Sequence, residues 1–174
     1  FSGGFVCVDV FFVISGYLIT SILIKDIENN SFNILNFYER RARRILPALF
    51  VMVIFTIIIG WFILTPYFYR DLFQTIFSTA FFASNILLYI KSGYFSAISE
   101  LKPLLHTWSL AVEEQFYIFF PIFFLIIWRF GKKKFFLPLV FISIISLIIS
   151  EWVWRTDASA NFYLLPTRIW ELTA

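Results

Sequence analysis

A chain of 174 residues, 60% hydrophobic and only 14% charged, is too apolar for a water-soluble domain, where roughly 25% of residues carry charge. Its mean hydropathy of +0.84 and its 25 phenylalanines point to lipid as the solvent. The net charge of +3 is too small and too locally placed to indicate nucleic acid, and a lone cysteine, Cys7, forms no internal disulfide, metal pair or redox pair.

A membrane-spanning helix needs about 20 apolar residues to cross about 30 Å of hydrocarbon. Phe5 to Ile24 meets that length, interrupted by Asp9, small residues and Tyr17. A polar connection from Asp26 to Arg44 leads to Ile45–Thr65, the cleanest span, which ends at Pro66. Leu72–Ile90 is the expected third span, with Asn85 inside it, and Trp108–Trp128 the fourth, carrying Glu113 and Glu114. Phe135–Trp154 is the fifth, and Pro166–Ala174 begins a sixth. The expected fold is all-α: a polytopic transmembrane helix bundle of five complete spans and the start of another. The whole of 1–174 is expected to be a partial transmembrane domain, with both ends reading as cuts through a longer protein.

Basic residues set orientation, because Lys and Arg accumulate on the cytoplasmic side. Strict alternation of five spans gives Lys25, Arg40, Arg41, Arg43, Arg44, Lys91, Lys102, Arg155 and Arg168 to one side. The other receives Arg70, Arg129 and Lys132–Lys134. Nine against five puts the arginine cluster in the cytoplasm, but then the lysine triplet lies on the wrong side. Either the triplet is tolerated or one of the spans is re-entrant.

Polar residues inside spans are the informative ones, since a carboxylate at the bilayer centre costs roughly 2.5–3.5 kcal/mol even on lenient scales. In Pro103–Tyr117, a helix turning about 100° per residue gathers His106, Ser109, Glu113 and Tyr117 on one stripe. Glu114 lies to one side of it, and Gln115 opposite. Such a stripe suits an active-site wall, in which Glu113 orients groups or tunes a neighbour. A hydrogen-bonded seam between helices is the bland alternative. A Ser–His–Glu hydrolase is disfavoured, since no G-x-S-x-G turn is present. Asp9 shares a small-polar stripe with Gly16 and Thr20, and a packing role explains the glycine better than the acid. Arg168 and Glu171 can pair at i, i+3 behind Pro166, which suits a helix start.

Arg40, Arg41, Arg43 and Arg44 lie flush against a span and can serve as a positive-inside anchor. Lysine would anchor equally well, whereas arginine's planar fork suits bidentate phosphate. Arg41 and Arg44, at i and i+3, share a face that can grip a pyrophosphate or an acidic headgroup.

Four ordered stretches resemble the acyltransferase-3 family, membrane O-acetylases of lipopolysaccharide, peptidoglycan and other glycans. They are Gly3–Thr20 (GGFVCVDVFFVISGYLIT), Phe37–Pro47 (FYERRARRILP), Leu104–Tyr117 (LLHTWSLAVEEQFY) and Phe162–Leu172 (FYLLPTRIWEL). Cys7 departs from the pattern, standing where a glycine is common. The third stretch resembles the branch that often carries an SGNH hydrolase-like domain. The resemblance implies about ten membrane helices, of which this chain supplies the second to the start of the seventh. It also implies transfer of an acyl group, usually acetyl from acetyl-CoA, to a hydroxyl of a cell-envelope glycan in the bacterial inner membrane. No cofactor is held permanently and no metal is expected. The family's RxxR motif maps onto Arg41 and Arg44, as the grip on coenzyme A. Its essential histidine belongs to a preceding helix and is not His106. Glu113, Glu114, Asp9 and His106 are the candidate cavity-lining residues beside it. The rival readings are a transporter or flippase of lipid-linked glycans, which should show broken helices or paired repeats, and a catalytically inert acyl-CoA-binding or structural subunit.

Overall fold

Eight α-helices and one 3₁₀ turn make up the described part of the chain, residues 4–29, 31–92, 104–129 and 136–173 of a computed structural model. They are α1 (Gly4–Glu28), α2 (Ile34–Ile63), α3 (Pro66–Ala80), α4 (Ser84–Ser92), α5 (Thr107–Trp128), α6 (Phe136–Thr156), α7 (Ala158–Tyr163) and α8 (Ile169–Thr173), with the 3₁₀ turn at Leu165–Thr167. Four of them, α1, α2, α5 and α6, are long and apolar enough to cross a membrane. The chain is an all-α, integral membrane bundle.

The helix starts follow local chemistry. Asn33 caps α2, its Oδ1 accepting from the amides of Leu35 at 2.9 Å and Asn36 at 3.4 Å. Pro66 opens α3 at a position whose amide needs no partner. Asp157 caps α7 through the amides of Ser159 and Ala160, both at 3.0 Å. The Ala160 amide, the Tyr89 hydroxyl and the Ser159 amide together hold the Asp157 carboxyl below its usual range.

α5 is the hub. Half of its most apolar window is buried, against 6% for those of α2 and α6, whose broad apolar faces are left for lipid or further helices. The core joins Phe12, Ile19 and Leu23 of α1 to Trp108, Val112, Phe116, Phe120 and Phe124 of α5, with Phe37 of α2 and Leu172 of α8. Aromatic edges align the pieces: Trp108 meets Phe12 at 6.2 Å and Phe162 at 4.5 Å between ring centres.

The third expected span is two helices rather than one. At 15 and 9 residues, α3 and α4 are about 22 and 14 Å long, each short of the hydrocarbon thickness. They fold back on each other: Lys91 at the end of α4 binds Asp71 at 3.0 Å and Gln74 at 2.6 Å in the first half of α3. The tip is a Schellman close with Phe82 in the left-handed region at φ 52°. The Phe82 amide donates to Thr79 O at 3.1 Å and the Ala83 amide to Ser78 O at 2.8 Å. Glycine usually takes that place, and its absence hides the break in the sequence.

Irregular backbone at membrane depth is tolerated only where protein satisfies it, and α5 supplies that protein. Gln115 Nε2 donates to Phe82 O at 2.8 Å and to Asn85 Oδ1 at 3.0 Å. Asn85 in turn donates to Tyr163 O at 3.1 Å, Ser84 to Thr107 O at 2.9 Å, and the Thr79 and Thr107 hydroxyls meet at 3.2 Å. Gln115→Leu is expected to destabilise the hairpin by about 1–3 kcal/mol, because the half-buried Phe82 carbonyl and the buried Asn85 lose their donor. Thermal unfolding in detergent measures it; an unchanged midpoint would assign the tip's stability to packing alone.

A hairpin that returns to its own side regroups the basic residues of the described helices. α1 and α5 run parallel, since Phe12 meets Trp108 and Ser15 meets Glu113 and Tyr117. Their ends, and the start of α2, where Tyr38 donates to Ile118 O at 2.8 Å, therefore share one side. Arg129 follows α5 there, joining Lys25 and the arginine cluster. The run Lys132–Lys134 lies outside the described residues.

Candidate functional site

Two charged clusters sit where α5, α1, α2 and α8 converge. The first is built on α5. Glu113 and Tyr117, one turn apart, face α1, and Glu113 Oε1 accepts hydrogen bonds from the Ser15 and Tyr117 hydroxyls. Tyr117 also lies 2.9 Å from Ser15 Oγ, closing a three-membered ring of hydroxyls and carboxylate. All three side chains are buried. Glu114, 8% exposed, points about 100° around the helix, and its Oε1 has no hydrogen-bond partner among the described residues.

Arg41 connects this cluster to α2. Its guanidinium lies over the Tyr117 ring at 4.5 Å and reaches Phe37 at 5.9 Å, within the range of cation–π attraction. Its charge acts on both Glu114 and Tyr117. The rest of the arginine cluster is arranged differently. Arg40 pairs with Asp26 and Arg43 with Glu39, each at 2.6 Å. Arg44 is exposed and has no ion-pair partner among the described residues.

The second cluster ties α1 to the end of the chain. Arg168 Nη1 bridges Asp9 Oδ1 at 2.8 Å and Glu171 Oε1 at 2.6 Å, and its guanidinium lies 5.3 Å from the centre of the Phe162 ring. The i, i+3 pair expected from the sequence is present; the role of Asp9 as its third member is supplied by the fold. Beside it, Gly16 lies against the carbonyl of Leu172, so close that a Cβ would fall 1.8 Å from that oxygen. A cleft of about 300 Å³ opens past this contact between α1, α6 and α8, lined by Gly16, Thr20, Ser143, Leu172 and Thr173 rather than by the carboxylates.

The expected stripe on α5 divides. Glu113 and Tyr117 act together, but His106 is exposed at the helix start, its Nε2 3.1 Å from the Met52 sulfur. Ser109 turns back to the His106 carbonyl at 3.1 Å. α5 begins only at Thr107, and His106, at its start, meets Met52 of α2 rather than Glu113 and Tyr117. Ser15 is the member that the sequence did not reveal: its neighbour Gly16 explained the segment as packing, and nothing local marks a partner 98 residues away. No group of three or more metal-binding side chains occurs among the described residues.

Comparison with known proteins agrees with the four motifs. A model of the acyltransferase domain matches residues 1–170. A Haemophilus influenzae protein described only as uncharacterized is 38% identical over 89% of this chain and 62% of its own length. The peptidoglycan O-acetyltransferase OatA of Listeria monocytogenes is 36% identical over 98% of the chain and 28% of itself. The putative peptidoglycan O-acetyltransferase YrhL of Bacillus subtilis is 43% identical over 70% and 19%, respectively. The chain thus spans less than two thirds of each of these relatives. No solved structure matches it. With the family match covering residues 1–170, the chain belongs to the acyltransferase-3 family of membrane acyltransferases.

Proposed function

We propose that the protein moves an acyl group, acetyl in the first instance, from cytoplasmic acyl-CoA to a hydroxyl of a cell-envelope glycan at the bacterial inner membrane. The observation that carries this is the Arg41–Tyr117–Glu113–Ser15 cluster with Glu114 beside it, a polar centre buried inside an apolar bundle of this family. Peptidoglycan is the favoured acceptor, because the relatives OatA and YrhL are named for it. The coenzyme A phosphates dock at the arginine cluster on the cytoplasmic side. Glu114, with a carboxylate oxygen that has no partner among the described residues, accepts the proton of the hydroxyl as the hydroxyl oxygen attacks the thioester carbonyl. The C–S bond breaks and coenzyme A leaves as the thiolate, while Glu113 holds Tyr117 and Ser15 in place. Asp9, paired with Arg168, orients the α1 wall, and His106 lies outside this centre. Residues 1–174 form part of the transmembrane catalytic domain.

The transporter alternative required interrupted helices. Among the described residues an interruption is present at 81–83, where Gln115 bonds the Phe82 carbonyl and Asn85, which gives it a structural part within the hairpin.

The test is mass spectrometry of envelope glycan from cells expressing the complete encoded protein. The expected result is an added acetyl group that falls by about 10²-fold or more in Glu114→Gln, the scale of a lost general base. Glycan without acetyl in the wild-type strain, or full acetylation by Glu114→Gln at equal protein level, would overturn the assignment.

A further inference from the structure

The two arginines of Arg41-x-x-Arg44 are spaced to share a helix face, yet their side chains meet different surroundings. Arg41 is half-buried, with its planar group over Tyr117 and a wall on Phe37. Arg44 is exposed. Arg40 and Arg43 are already neutralised by Asp26 and Glu39, so Arg44 carries the one positive charge of this cluster with neither an ion pair nor an aromatic ring beside it among the described residues.

Two physical facts separate the roles. A phosphate brought to Arg41 would enter the field of Glu113 and Glu114, inside a low-dielectric bundle where like charges repel far more strongly than in water. At Arg44, whose side chain is exposed, no carboxylate is paired with the guanidinium among the described residues. The second fact is the stack itself. Arginine's flat, weakly hydrated group lies well on an aromatic face and lysine's compact ammonium does not, which explains an arginine at 41 without any phosphate.

We propose that Arg41 is a positioning residue of the interior cluster, holding Tyr117 and offsetting the charge of Glu113 and Glu114, and that Arg44 alone of the pair contacts the donor's phosphates. This division rests on the acyl-CoA reading given above. Arg41 ties α2 to α5 at the same Tyr117 that α5 uses to reach Ser15 on α1, so its loss loosens the geometry of all three helices at the reacting centre. Arg44 gives the donor affinity without touching that geometry.

The experiment uses the complete encoded protein in two assays. Coenzyme A binding to the purified protein is measured by calorimetry, and thiol release from acetyl-CoA is followed in inside-out membrane vesicles holding their own acceptor. Arg44→Gln is expected to weaken coenzyme A binding and raise KM by roughly 10- to 100-fold, the scale of charged hydrogen bonds lost. Arg41→Gln is expected to keep coenzyme A affinity and KM near wild type and to lower kcat by about 100-fold, the scale of a small misplacement at a reacting centre. Should Arg41→Gln fail to fold, Arg41→Lys keeps the charge, loses the stack, and is expected to give the same fall in kcat at unchanged KM. Equal loss of coenzyme A binding in the Arg41 and Arg44 variants overturns the division while leaving the donor assignment intact. A wild-type protein that binds no coenzyme A overturns both.

Discussion

Gly16→Ala is expected to unfold the junction between α1 and α8, with a loss of about 3 kcal/mol or more. Overpacking usually costs about 1–3 kcal/mol when side chains can move aside. Here the obstacle is the carbonyl of Leu172, 1.8 Å from the position of the new Cβ, and backbone yields only by moving the helix that owns it. α8 would have to retreat, pulling Arg168 from Asp9 and opening the contact of Leu172, itself 1% exposed, with the core. Thermal unfolding in detergent, alongside protease sensitivity after α6, reads the effect. Gly60 offers the control: a Cβ there meets only side-chain carbons at 3.0 Å or more, so Gly60→Ala should cost far less. Equal midpoints for the two variants would sink the claim that α8 is seated on a bare patch of α1.

Arg168→Leu is the second large effect. Arg168 is 12% exposed at its side chain and Glu171 2%, and they meet at 2.6 Å, with Asp9 at 2.8 Å. Replacing a buried ion pair as a whole can be neutral, whereas removing one partner strands a charge and costs about 3–5 kcal/mol. The double variant Arg168→Leu with Glu171→Leu should therefore recover most of what the single one loses. Asp9, whose side chain is 42% exposed, is far less enclosed than Glu171 and is the lesser part of the loss. Failure of the double variant to regain stability would mean that the carboxylate of Glu171 serves something other than Arg168. Its second oxygen, which lacks a partner among the described residues, is where that service would be found.

The polar residues inside this bundle act in two ways that local sequence does not distinguish. Asn85 and Gln115 are expended on holding the hairpin tip, and no catalytic part is needed to account for them. Glu113 and Glu114 are adjacent on one helix, yet one accepts from two hydroxyls and the other has an oxygen with no partner among the described residues. A helical wheel separates such neighbours by angle, but only the partners on α1 and α2 decide which of them is occupied.

Membrane embedding was legible from composition, because 60% apolar residues cannot be buried by a chain of this size in water. The positions of α1, α5 and α6 followed from apolar length, and so did the apolar part of α2, although residues 34–44, read as part of a polar connection, are its first stretch. The pair Arg168–Glu171 followed from spacing. Family membership followed from the order of four motifs. The hairpin escaped because apolar length cannot see a helix end formed by Phe82, where glycine normally marks it, and that single break is what put Lys132–Lys134 in conflict under strict alternation. The divergence of Arg41 from Arg44, the ring of Ser15 with Glu113 and Tyr117, and the seating of Leu172 on Gly16 were decided only by tertiary structure. Periodicity reports which residues share a face of one helix; what a buried polar group binds depends on the helix opposite, brought near by packing at a sequence distance no local pattern records.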